Sequence, residues 1–429
     1  MIRNLKRRSK ITLLFFIILA IISNFCLLII FNIYQLTPLY HDVDRRENGN
    51  TFVCQATFQE IIYHNRRVTE HIPVDPDNKD HKVFELSPKG EVLWELAGLA
   101  YPHEIVELSN EHILIADTGF DRVIEVNYPD KDIVWSWEPK EIDWSKVNPD
   151  WGDSDHYYNN PVTYDWTHLN HVDFKSYGSY NACIISMRNF NLIVEVNYTA
   201  EKIGPSNNPD NIFWYYGDYD DTSLLNMQHN PDYLDDGNII VSDSGNNRIL
   251  ILEYPSGKIL WEYDKGLLWP RDADLTEDDT ILITDCLNSR LIEVDKETKE
   301  IVWKYKGDLV VPYEADRLEN GNTLIGNGYG GVIYEVNKNG VVVWRYGISF
   351  IKSIVSLNVI LSVSLIGCTV IFNIYDIKND KLSLEKEIRK KRMLLIQAIF
   401  IIFLIFLFFN YTLIASWVSS IIIDSSPTP

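Results

Sequence analysis

Three of the ten histidines in this 429-residue chain recur at related positions. His103, His229, Pro270 and Tyr313 each stand five residues before a leucine (Leu108, Leu234, Leu275, Leu318) of a short apolar segment. His168 falls six residues before Phe174 in a more divergent segment. Asn170 and Arg188 belong to that same divergent stretch, "HLNHVDF…SMRN". One guanidinium, one amide and three imidazoles make a cationic set rich in hydrogen-bond donors. The guanidinium fork suits a tetrahedral oxyanion. A neutral imidazole, with its ordinary pKa of about 6.5, serves as nucleophile or base near neutral pH. Three histidines also suit a metal, but Arg188 would repel one and no carboxylate or cysteine shares their positions. The set therefore predicts anion chemistry with neither metal nor cofactor.

Such a set works only if the chain brings its members together, and a repeat provides the means. "HEIVELSNEHILIADTGFDRVIEVN" (103–127), "HNPDYLDDGNIIVSDSGNNRILILE" (229–253), "PRDADLTEDDTILITDCLNSRLIEVD" (270–295) and "YEADRLENGNTLIGNGYGGVIYEVN" (313–337) align with one another. Residues 168–197 are a divergent copy, and "NGNTFVC" (48–54) echoes "NGNTLIG" (320–326). Each copy reads as turn, apolar strand, turn, apolar strand, then a strand carrying tryptophan: Trp94, Trp135, Trp214, Trp261, Trp303 or Trp344. Six units at this period predict an all-β, six-bladed β-propeller over residues 34–349. The first strand of each blade then lines a central channel, and equivalent positions of different blades converge in one funnel.

The turns "DTGFDR", "DSGNNR" and "DCLNSR" pair Asp117, Asp243 and Asp285 with Arg122, Arg248 and Arg290, which reads as scaffold. In the divergent blade the turn is "SMRNFN": the aspartate is gone and the arginine moves to Arg188, available for another partner.

On "DWTHLNHVD" (165–173) with "SMRN" (186–189), "MQHNPDYLDDGN" (227–238) and "PHEIVELSNEHILIADTG" (102–119), the chain resembles the arylsulfate sulfotransferases. These are six-bladed propeller enzymes that need no nucleotide sulfate donor. The likeness covers roughly residues 80–345. It implies ping-pong transfer of a sulfuryl group from a small aryl sulfate to a phenolic acceptor. By resemblance, His229 matches the transiently sulfated histidine. His168, Asn170 and Arg188 match the residues around the sulfuryl oxygens, and His103 the histidine assisting proton transfer. The family members compared are soluble periplasmic proteins with an extra N-terminal β-domain, for which this chain has no room.

Net charge is −21, and residues 11–349 carry 26 Lys/Arg against 55 Asp/Glu. Such a surface repels nucleic acid, so no nucleic-acid partner is expected. The five cysteines have neither CxxC spacing nor a metal pattern, and buried free thiols are expected at Cys54, Cys183 and Cys286. Residues 11–33 follow a basic N-terminus (1–10) and form a charge-free run long enough to span a bilayer as a signal anchor. Further apolar runs at 350–375 and 394–418 flank a basic loop, 376–393. The positive-inside rule then places that loop in the cytoplasm and the propeller and the 419–429 tail outside. A multi-pass plasma-membrane protein is expected, with a sequon at Asn197–Tyr198–Thr199 in its outer part. The "DSGNNR" turns also resemble NHL repeats, whose propellers mostly bind partners. On that reading the protein is a receptor without catalysis.

Overall fold

The computed structural model describes residues 38–57, 80–152, 155–157, 165–199, 203–204 and 206–347. The chain divides into two units, 1–349 and 350–429, and all described residues lie in the first. The apolar runs expected to span a membrane fall outside them. No helix among the described residues is long and apolar enough to cross a bilayer.

Among the described residues, twenty-four strands form six four-stranded antiparallel sheets, each built in sequence order or its reverse. Blade 1 runs from β1 (Pro38–Arg45) to β4 (Val92–Ala97), and blade 2 from β5 (Glu104–Glu107) to β8 (Ile133–Trp137). Blade 3 runs from β9 (Leu169–Ser176) to β12 (Ile212–Gly217), and blade 4 from β13 (His229–Tyr233) to β16 (Lys258–Tyr263). Blade 5 runs from β17 (Pro270–Leu275) to β20 (Ile301–Tyr305), and blade 6 from β21 (Glu314–Arg317) to β24 (Val342–Gly347). This is a six-bladed β-propeller. The first blade starts earlier than the echo at residues 48–54 indicates, because its inner strand β1 lies upstream of that motif.

The second and third strands of the blades are apolar along most of their length, as sheets covered on both faces must be. β6 (Ile113–Asp117), "ILIAD", is buried at every residue. Each neighbouring pair of blades shares one apolar core, so the fold is six sheet-on-sheet interfaces around an axis.

The repeated tryptophan closes the ring. Each indole Nε1–H donates to a backbone carbonyl in the last turn of the next blade. Trp94 reaches Pro129, Trp135 reaches Tyr198 and Trp214 reaches Pro255. Trp261 reaches Lys296, Trp303 reaches Lys338, and Trp344 returns to Pro88 in blade 1 at 2.8 Å. Blades 1 and 6 exchange no strand, so this seam depends on such contacts and on β1 packing against β21 and β22 (Thr323–Asn327).

The Asp–Arg turns are scaffold as expected. Asp243 is buried and accepts from Arg248 Nε at 2.7 Å, Asn246 Nδ2 at 2.8 Å and the Asn226 backbone N–H at 2.7 Å. Removing it orphans a buried backbone donor and an arginine. Asp243→Ala is expected to destabilise the protein by about 3 kcal/mol in urea unfolding, the lower end for breaking a buried ion pair. A change within about 0.5 kcal/mol, the size of an ordinary surface substitution, would contradict this account of the turn. Cys54, Cys183 and Cys286 are buried free thiols.

Candidate active site

The funnel sits where the inner strands begin. In β1, β9 and β17 the strand carries a bulge there, and the extra residues are His41, Asn170 and Arg271. Bulges re-aim side chains, and they recur beside active sites. His103 and Tyr313 immediately precede β5 and β21, and His229 opens β13. Six blades thus supply His41, His103, Asn170, His229, Arg271 and Tyr313 at one rim. His168 and Arg188 enter from the loops beside it.

The rings pack as one wall. His41 stacks on His103 with centroids 4.1 Å apart and on Tyr313 at 4.9 Å. His103 meets His168 edge-on at 4.9 Å and Tyr101 at 4.8 Å. The Arg271 guanidinium lies 3.8 Å from the Tyr313 ring centroid. Asn170 Nδ2 donates to the Gln228 carbonyl at 3.0 Å, which ties it to the residue beside His229. Arg188 donates its backbone N–H to the His168 carbonyl at 3.3 Å.

Arg188 does not stand where the scaffold arginines stand. It is the first residue of the short turn after β10 (Asn181–Met187), the place held by Thr118, Ser244 and Cys286 in other blades. That place faces the funnel. Its side chain is 8% exposed, and its Nε has no hydrogen-bond partner among the described residues.

The histidine tautomers follow from their partners. Ser244 Oγ donates to the Pro270 carbonyl at 2.5 Å, so it can only accept from His229 Nδ1, 2.7 Å away. His229 is therefore protonated on Nδ1. Its Nε2 lone pair is bare, fully buried and unpartnered among the described residues. The Nδ1 atoms of His41 and His103 face the Pro102 and Tyr101 carbonyls at 2.8 and 2.9 Å, His103 Nδ1 also lies 2.9 Å from Thr118 Oγ1, and His41 Nε2 has no partner among the described residues. His168 differs, because its Nδ1 faces the Asp165 carboxylate at 2.8 Å. His168 has φ +46°, a left-handed conformation unusual for histidine. Asp121 holds this segment by accepting from the backbone N–H groups of Trp166 and Thr167 and from the Thr167 hydroxyl.

Burial pushes His41 down to about 3, with Arg271 next in effect. Burial, then His41 and Arg271, holds His103 well below the ordinary imidazole range. His229 is likewise held well below it, by burial and then by Arg271 and Arg188. These imidazoles are neutral at pH 7. Arg188 drops to about 10, chiefly by burial, and keeps its charge. Burial raises Tyr101 well above the usual phenol range and Tyr313 to about 12, so both phenols remain donors. The result is a largely buried site with two guanidiniums, the bare Nε2 atoms of His41 and His229, and phenolic protons. It can hold an anion and attack it.

A family model described as outer membrane protein assembly factor BamB matches residues 214–360, about a third of the chain. Among solved structures, a streptogramin B lyase is similar over 73% of this chain and 84% of its own, with 11% identity and a TM-score of 0.45. A Staphylococcus aureus virginiamycin B lyase is similar over 73% and 85%, with 11% identity and a TM-score of 0.45. A Bacteroides caccae protein of unknown function is similar over 62% and 89%, with 13% identity and a TM-score of 0.43. No curated protein matches the chain in sequence.

All five residues expected from the sequence, His103, His168, Asn170, Arg188 and His229, lie at this rim. Sequence reasoning missed His41, Tyr101, Asp165 and Arg271. Counting back from Leu275 gives Pro270, and the bulge in β17 moves the funnel position on by one, to Arg271.

Proposed function

We propose that the propeller is a sulfuryl transferase that carries the group on His229, from an aryl sulfate to a phenol. The observation that carries this reading is the bare, buried Nε2 of His229, fixed by Ser244 and set beside Arg188 and Arg271. A sulfate ester resists nucleophiles because its oxygens are already negative. Fixed cations in a dry site offset that charge without reorganising, often the largest catalytic contribution. Nε2 attacks sulfur, the N–S bond forms, and the S–O bond to the aryl group breaks with its electron pair on the phenolate. In the second half, His168 takes the acceptor's hydroxyl proton. Asp165 stabilises the imidazolium so formed, an advantage that His103, facing a neutral carbonyl, lacks. The acceptor oxygen attacks sulfur, the N–S bond breaks, His229 is restored, and His168 then releases its proton to solvent. Asn170 and Arg188 bind the sulfuryl oxygens. Tethering by spans at 11–33, 350–375 and 394–418 would present the site at the outer membrane surface and suit apolar phenolic acceptors.

Transfer from a chromogenic aryl sulfate to a second phenol tests the reading. Saturable, phenol-dependent release of the donor phenol supports it. Hydrolysis or transfer no faster than in buffer overturns it. The second reading, a binding propeller without catalysis, draws on the match to an assembly factor. Its expected result is partner binding that ignores His229→Ala.

The depressed pKa of His229 sets the acid limb. Only the neutral imidazole attacks, so a lowered pKa extends activity to lower pH. The rate of the first half-reaction is expected to stay level from about pH 8 down past the ordinary imidazole value of about 6.5. Stopped-flow phenol release measures it. A midpoint near that ordinary value would contradict the burial argument.

A further inference from the structure

Below the rim, the channel turns acidic. Inner strands β1 and β21 place Asp42, Asp44, Glu314 and Asp316 there, with Glu104 and Asp272 from β5 and β17. His171 offsets part of this charge. It lies between Glu104 at 2.7 Å and Asp232 at 3.0 Å, and these carboxylates raise its pKa despite burial. Among the described residues, no lysine or arginine pairs with Asp42, Asp44 or Glu314.

Those three carboxyl groups bring ligand oxygens within 4.8 Å of one another. Asp42 is 1% exposed; its Oδ2 accepts from the Ile105 backbone N–H at 2.6 Å, and its Oδ1 has no hydrogen-bond partner among the described residues. Calcium binds oxygens at about 2.3–2.6 Å, so oxygens across the ion lie about 5 Å apart; magnesium, at about 2.0–2.1 Å, requires a tighter set. The all-oxygen donors and the orphaned buried oxygen suit a hard divalent cation, and a set of protein carboxylates favours calcium over magnesium, which usually keeps several waters. Asp44 is partly exposed to the channel, which leaves the group a way in.

We propose that Asp42, Asp44 and Glu314 bind a calcium-class divalent cation in the central channel, where it ties blade 1 to blade 6 at the ring's seam. No strand crosses that seam, so a cation shared by β1 and β21 does work that strand exchange does in a closed sheet.

The test uses the full chain in detergent micelles, with calcium chloride alone as the probe, followed by calorimetry and by thermal unfolding against a chelator. One saturable site per chain is expected, with a melting temperature that rises with calcium. Asp44→Asn/Glu314→Gln is expected to lose both while keeping its far-ultraviolet circular dichroism. The surface-turn control Asp236→Asn is expected to keep both. If the double variant fails to fold, Asp44→Asn alone is read the same way. No saturable calcium uptake by the folded wild type, or uptake unchanged in the variants, overturns the proposal. Neither readout requires transferase activity, so this test and that of the proposed function fail independently.

Discussion

His229→Ala is expected to lower sulfuryl transfer by about a thousandfold or more, as loss of a covalent nucleophile does in other enzymes. The cause is specific. His229 Nε2 is bare and fully buried, and its Nδ1 is fixed by the Ser244 hydroxyl, which donates to the Pro270 carbonyl. His41 Nε2 is bare too, but His41 and His103 are stacked on each other in the aromatic wall. The alanine variant keeps both guanidiniums, so donor binding is expected to survive and the loss to fall on kcat. Steady-state kinetics separate the two. A variant that loses affinity at full kcat would make His229 a binding residue.

The second large effect concerns Arg188. Arg188→Gln is expected to cost about 10²- to 10³-fold in kcat/KM, the range for deleting one preorganised donor to a developing oxyanion. Arg188→Lys is expected to restore only part, because an ammonium cannot present the planar fork. A further signature distinguishes this from misfolding. Arg188 is among the charges that hold the His229 pKa down. Its removal lets that pKa rise, so the acid limb of the rate profile moves to higher pH. Equal rates in wild type and Arg188→Gln, or an unmoved acid limb, would remove Arg188 from the site.

The propeller was legible because each unit carries its own marks. A glycine or asparagine turn, a buried run such as "ILIAD" and one tryptophan recur six times. The tryptophan that recurs at one position of each unit foretold six blades. The bond each indole makes with the following blade involves backbone carbonyls that no side-chain pattern encodes. His103, His168, Asn170, Arg188 and His229 were legible because their types depart from a repeat that is otherwise apolar or turn-forming.

What stayed hidden depends on register. A bulge adds a residue without changing composition, so the count from Leu275 landed on Pro270 and passed over Arg271. His41 lies in an inner strand upstream of the first recognisable motif. Asp165 meets His168 through a left-handed backbone at His168 itself, which a sequence cannot announce. Asp42 and Asp44 stand about 270 residues from Glu314 in the chain, and they meet only where β1 packs against β21 at the seam.

The central claim is a covalent sulfohistidine, and one measurement addresses it directly. The protein is mixed with an aryl sulfate in the absence of acceptor, quenched in base and digested, and its peptides are mapped by tandem mass spectrometry. A sulfuryl adduct on the peptide containing His229, discharged on adding a phenol and absent from His229→Ala, is the predicted result. Phenol-dependent turnover with no adduct on that peptide, or with the adduct on His41, His103 or His168, would contradict it.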